Sequence, residues 1–273
     1  MFKTRLMSSI VLVIVLAFSL LQGDLILWGL LLGISLVGQF EFYRAVKPDE
    51  EKENRINCLE FIGYIGTMIY YGLLLLDFDA QRLFLLLIGI LIATMFVYVF
   101  NYPRFHSSYM MSTVFGVLYI PVMLSFIYLT RMYTDGNYLV WLIFISSWIC
   151  DTCAYCVGML IGKHKLAPKL SPKKSIEGAI GGVVGSALVG GLYGYALTQI
   201  RSLDFVIIGI FVCIGGIGAV VSQIGDLTAS ALKRNHSIKD FGNLIPGHGG
   251  ILDRFDSVIV TAPMIYILAV LFM

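Results

Sequence analysis

Leu83–Phe100 reads LFLLLIGILIATMFVYVF, without one charged residue. At 1.5 Å per residue, a helix of this length crosses most of the roughly 30 Å hydrocarbon core of a bilayer. Lipid offers no hydrogen-bond partners, so a backbone inside it must satisfy itself, and an isolated run of this kind is a helix. Eight further runs have the same character: Leu6–Leu21, Leu25–Phe42, Cys58–Leu76, Met111–Thr130, Tyr138–Ile161, Gly178–Gln199, Phe205–Ile224 and Phe255–Met273. Alternating ten-residue strand patterns are absent, which excludes a transmembrane barrel. The expected fold is an all-α polytopic transmembrane helix bundle of about nine spans.

Composition agrees. Of the 273 residues, 58% are hydrophobic and 13% charged, against roughly 45–50% and about 25% in a soluble domain. No single aqueous core could hide that much apolar surface. The stretch after Lys3 and Arg5 runs apolar to Leu21 with no small-residue cleavage site, so it is read as a first span rather than a signal peptide. Gln22-Gly23-Asp24 predicts a tight turn into the second span.

Charge sets orientation. With the N-terminus in the cytoplasm and sides alternating across nine spans, 16 of the 19 basic residues fall in cytoplasmic segments; only Arg82, Arg131 and Arg201 fall opposite. Such a positive-inside bias supports this topology. The mixed-charge run Lys47–Arg55 reads as a solvated connector. The five cysteines are odd in number and lie in or beside apolar stretches, so neither a disulfide framework nor a four-ligand zinc site is expected. Gly181/Gly185 and Gly190/Gly194 are small-xxx-small pairs that let helix backbones approach closely.

The chain changes character at Asp151: polar residues enter the spans, glycine becomes dense and two basic loops appear. Residues 1–130 are therefore assigned to N-terminal helices, and 131–273 to a catalytic transmembrane region with two cytoplasmic loops. If helical, Asp226, Ser230, Lys233 and Arg234 share one face. Next come Lys239-Asp240, a glycine-rich turn with Pro246 and His248, and Asp253-Arg254-Phe255-Asp256. Charge at membrane depth is expensive and marks function by default. Carboxylates are hard oxygen ligands suited to Mg²⁺, which also takes substrate phosphates, and the neighbouring cations suit phosphate. The bland alternative is a set of mutually satisfied ion pairs; for exposed Lys239 beside Asp240 it carries equal weight. The loop Lys163–Lys174 either attracts anionic lipid or, through Ser171-Pro172-Lys173-Lys174-Ser175, binds nucleotide phosphate.

The run Ser230–Asp256, with Lys233-Arg234, Lys239-Asp240, Gly242, Ile245-Pro246, His248-Gly249-Gly250 and Asp253-Arg254-Phe255-Asp256, resembles without a gap the defining motif of the CDP-diacylglycerol synthases, also called phosphatidate cytidylyltransferases. A second block, from Asp151-Thr152 through Gly162-Lys163 and Ser171–Ser175 to Glu177-Gly178, resembles the same family, with Cys153 in place of another small residue. The resemblance implies transfer of a cytidylyl group from CTP to phosphatidic acid with Mg²⁺. On that reading the catalytic set is Asp226, Lys233, Arg234, Lys239, Asp240, His248, Asp253 and Arg254. Ser171, Lys173, Lys174, Ser175 and Ser230 would bind nucleotide, and Asp226, Asp253 and Asp256 would hold metal. Asp151 would line the same cavity or hold a second cation. The partners expected are CTP, phosphatidic acid and the bilayer of a bacterial inner membrane, with no nucleic acid; the resemblance also implies a homodimer. The competing expectations are a CTP-dependent polyprenol kinase, which would transfer the γ-phosphoryl group, and an anionic-solute transporter. The transporter predicts charges at the midplane of several spans and repeated broken helices, neither of which the sequence carries.

Overall fold

The structure, a computed structural model, describes residues 2–47, 56–201, 204–245, 247 and 249–273. Each of the nine apolar runs becomes a helix: α1 Phe2–Gln22, α2 Asp24–Val46, α3 Cys58–Leu75, α4 Ala80–Phe100, α5 Ser107–Met132, α6 Gly136–Ile161, α7 Ile176–Arg201, α8 Val206–Asn235 and α9 Leu252–Phe272. Among the described residues eight of these are long and apolar enough to cross a membrane, and α1 adds the shorter apolar stretch Met7–Gln22. This is a multi-pass membrane protein. Only Gly23 separates α1 from α2; its φ of 70° is open to glycine at little cost.

The chain forms two compact units. The first takes in residues 1–128 and the segment 238–254, which the sequence reading kept with the remainder of the C-terminal half. Its interior mixes large apolar side chains (Leu27, Phe42, Leu59, Ile120) with a buried polar ladder. Thr67 donates to Gln39 (2.9 Å), Gln39 to Tyr43 (3.3 Å) and Tyr43 to the Thr113 carbonyl (3.1 Å). A buried polar group must find partners of this kind or lose its solvation uncompensated. In α5 the turn Leu118–Val122 widens to a π-turn around Pro121. Proline lacks the N–H that an α-turn needs, and Tyr71 donates to the Pro121 carbonyl (3.4 Å). The solvated-connector reading needs correcting at its edge. Lys47 pairs with buried Glu60 at 2.8 Å, and Glu60 closes a capping box with Asn57 at the start of α3. Residues 48–55 lie outside the described residues.

The second unit holds residues 129–237 and 255–273. Here α7 packs between α6 and α8. A Cβ at Gly190 would lie 2.7 Å from the Phe211 carbonyl oxygen, and one at Gly215 would lie 2.8 Å from that of Ser186, so backbone meets backbone. Gly181 and Gly185 face Val157 and Cys153. The small-residue pairs are thus consumed in packing within the chain. The α6 helix also carries a π-turn, Ile145–Ile149. Ser186 Oγ lies within hydrogen-bond distance of the Ile145 carbonyl there (3.1 Å) and of Gly215 O (3.0 Å). Between α6 and α7 the basic loop forms a small antiparallel hairpin, β1 Lys165–Ala167 and β2 Ser171–Ser175, turned at Pro168. This hairpin is a departure from helix that the sequence reading lacked.

Candidate active site

In the second unit, α8 runs to Asn235, past the expected end of its span at Ile224. Asp226, Ser230, Lys233 and Arg234 therefore all stand on one continuous helix. Strand β2 directs alternate side chains to opposite sides: Lys173 is exposed, whereas Lys174 is half-buried and pairs with Asp226. Ser175 closes the strand. Its buried Oγ accepts the Gly178 N–H (3.1 Å) at the start of α7, so the strand is tied to the helix that follows it. Glu177 ties the other side of the hairpin by accepting the backbone N–H of Lys163 (3.1 Å) and of His164.

Lys173, Lys174, Ser175, Asp226 and Asp151 line a cavity of about 610 Å³. Gln223 shares this wall, held by the Ala179 carbonyl (2.9 Å). On α9, Asp256 lies 3.8 Å from Lys233 Nζ, both side chains being largely shielded. Asp226 and Asp151 are close enough to Asp256 to act on its charge, and Lys233 opposes them. Three carboxylates and two lysines thus share one electrostatic neighbourhood. Ser230 is half-buried, Ser171 is half-buried on β2, and Arg234 is exposed.

In the first unit, Asp253 is buried, and its Oδ2 accepts the N–H groups of Phe241 (2.9 Å) and Gly250 (3.0 Å). Lys239 and Asp240 are exposed. Arg254 Nε is buried and, among the described residues, has no acceptor; such a donor fits an anionic oxygen. His248 lies outside the described residues, as does Pro246. Gly249, beside Asp253, has a φ of 85°, which a side chain would strain.

Each of the three carboxylates expected to hold metal has partners of its own: Asp226 pairs with Lys174, Asp256 lies near Lys233, and Asp253 accepts loop N–H groups. Among the described residues no three His, Cys, Asp or Glu side chains stand together as a metal cage. Mg²⁺ seldom needs one, since it commonly takes one or two carboxylates and fills its octahedron with water and phosphate oxygens. Asp226 and Asp256 are oxygen donors of the kind that such a site could use. Sequence reading missed Glu41, a buried carboxylate on α2 bonded to the start of α9 (Ile251 N, 3.0 Å; Leu252 N, 2.8 Å). The available signal was an acidic residue late in an apolar span.

The profile of the cytidylyltransferase family matches residues 3–272. This chain belongs to that family. It is 30% identical, over 98% of its length and 99% of the relative's, to a protein of Staphylococcus aureus (strain COL) named phosphatidate cytidylyltransferase. A Staphylococcus saprophyticus protein of the same name is 31% identical over 98% of this chain and 99% of its own. One from Rickettsia bellii is 36% identical over 60% of this chain and 71% of its own. The family assignment thus rests on both units.

Proposed function

We propose that this chain transfers the cytidylyl group of CTP to phosphatidic acid, leaving CDP-diacylglycerol in the membrane for phospholipid synthesis and releasing pyrophosphate. The observation that carries this reading is a whole-length cytidylyltransferase match joined to a lysine-carboxylate cluster beside a cavity. In the reaction a phosphate oxygen of the lipid attacks the α-phosphorus of CTP, and the bond from that phosphorus to the oxygen bridging to the β-phosphate breaks. A phosphate monoester has a second pKa near 6 and is largely dianionic at neutral pH. The nucleophile therefore needs no side-chain base, and the protein's contribution is positioning and charge neutralisation.

Lys173 and Lys174, presented by β2 with Ser171 and Ser175, are proposed to hold nucleotide phosphate, with Ser230 as a further donor. Lys233, Arg234, Lys239, Arg254 and His248 would take the remaining phosphate charge, and Asp240 would orient Lys239. Asp226, Asp256 and Asp253 are proposed for Mg²⁺, and Asp151 for a second cation. Backbone N–H groups bonded to Asp253 would fix its orientation, as outer contacts of a ligating carboxylate do. Bound Mg²⁺ would neutralise phosphate charge at the reacting phosphorus. The active site is proposed to face the cytoplasm of a bacterial inner membrane, and the protein to assemble as a homodimer.

Purified protein incubated with phosphatidic acid, Mg²⁺ and CTP labelled at either the α- or the γ-phosphorus tests the reaction. Label from the α position should enter the lipid while pyrophosphate is released. Label entering lipid from the γ position would mean a lipid kinase instead.

A further inference from the structure

The start of α9 has no cap of its own. Ile251 occupies the N-cap position, and its side chain can accept nothing, yet the first N–H groups of a helix have no partner within it. Glu41, from α2, accepts two N–H groups at this end: Oε1 from Ile251 (3.0 Å) and Oε2 from Leu252 (2.8 Å). The carboxylate is 4% exposed, so no water stands ready to replace it. A negative charge at a helix N-terminus is also favoured by the helix dipole.

Two glycines are fitted to the same carboxylate. A Cβ at Gly242 or at Gly250 would collide with Glu41. The loop therefore lies on Glu41 at two places and is hydrogen-bonded to it at two more. Asp253 does the complementary work from inside the loop, binding Phe241 N and Gly250 N through Oδ2. Between them, two carboxylates satisfy four backbone donors of residues 241–252. Such an arrangement fixes where the flanking Lys239 and Arg254 stand.

We infer that Glu41 is a positioning residue for cytidylyl transfer: it sets the loop 238–254 without touching substrate. This inference rests on the proposal that the loop's cations act on substrate phosphate. Glu41→Gln is the informative change. It is isosteric, but its amide nitrogen faces a backbone donor where an oxygen accepted before, so the loop must shift. Displacements on the order of 1 Å can cost about 10²-fold in rate. With folded Glu41→Gln protein in detergent, kcat/KM for CTP should fall about 10²-fold, with a lower thermal midpoint as the loss of a helix cap requires. In a Lys239→Ala background the same change should cost only about 3-fold, because groups acting through one loop are non-additive. Should Glu41→Gln fail to fold, Glu41→Asp, which keeps the charge on a shorter stem, serves in the same cycle.

Wild-type kcat/KM in a folded Glu41 variant overturns the inference. So does an equal loss of kcat/KM in both backgrounds, which is the behaviour of a contact that does not act through Lys239. Full activity of Lys239→Ala alone is a different failure: it removes Lys239 from the proposed phosphate contacts, and the inference with it, but leaves the reaction standing.

Discussion

Replacing Asp226 by asparagine separates chemistry from folding in the second unit. Asp226 and Lys174 side chains are 23% and 27% exposed. The pair is therefore neither a surface bridge, worth about 0–1 kcal/mol, nor a fully buried one, whose breaking costs about 3–5 kcal/mol. An intermediate loss of about 1–2 kcal/mol follows from these limits, since Lys174 keeps some access to water. Catalysis should suffer more. Removing one preorganised electrostatic contact to a transition state commonly costs about 10²–10³ in rate, or about 2.7–4 kcal/mol, and a lost metal ligand belongs at the upper end. Asp226→Asn should thus cut turnover at least 10²-fold while most of the protein stays folded. Adding Lys174→Met should restore part of the stability, because no charge is left unpaired, and none of the activity. Thermal melting in detergent alongside label transfer to lipid reads both quantities. Turnover within about 3-fold of wild type in Asp226→Asn would refute the assignment, because no loss on the scale of a transition-state contact would then have occurred.

Cysteines introduced at Lys169 and Asn243 should react with an impermeant maleimide only after right-side-out vesicles are opened; labelling of either in sealed vesicles contradicts the cytoplasmic orientation. Chelation should stop turnover reversibly, with recovery on adding Mg²⁺, and activity that survives exhaustive chelation removes the metal roles of Asp226, Asp253 and Asp256. His248→Gln should lose less than the roughly 10²–10⁴-fold expected of a lost general base, and its pH–rate profile should keep the acidic limb set by the lipid phosphate; loss of that limb would make histidine titration rate-controlling. Ser175→Ala removes the hydroxyl that accepts the Gly178 N–H and should lower stability by about 1 kcal/mol, read as a lower thermal midpoint; an unchanged midpoint contradicts the capping role.

The helices were legible because lipid imposes both a length and an apolar composition; among the described residues eight of the nine met both, and the first fell short only in length. The continuation of α8 through Lys233 was legible for a different reason: Asp226, Ser230 and Lys233 recur at helical spacing beyond the apolar stretch. Other features obey no such local rule. Pro121 hints at a disturbed turn in α5, but Ile145–Ile149 contains neither proline nor glycine, and its widening accompanies a contact with Ser186 from another helix. The β1–β2 hairpin is too short and too polar to announce itself by alternation. Lys47 looked solvated because its partner, Glu60, stands beyond the charged run.

The acidic residues show where spacing stops being informative. Asp253 and Asp256 are three apart on α9, and helical geometry rightly makes them neighbours. It does not say which partners claim them. A carboxylate goes to whatever unsatisfied donors lie within reach, and those are decided by segments distant in sequence: the N–H groups of Phe241 and Gly250 for Asp253, and the ammonium of Lys233 for Asp256. Glu41 extends the same logic. Alone in the sequence it is an acidic residue near the end of an apolar span, which marks it only as costly. Its use becomes visible when the uncapped start of α9, 210 residues away, is found bonded to it. Gly242 and Gly250 then acquire a reason that the motif alone did not give, since each leaves room for a carboxylate contributed by α2.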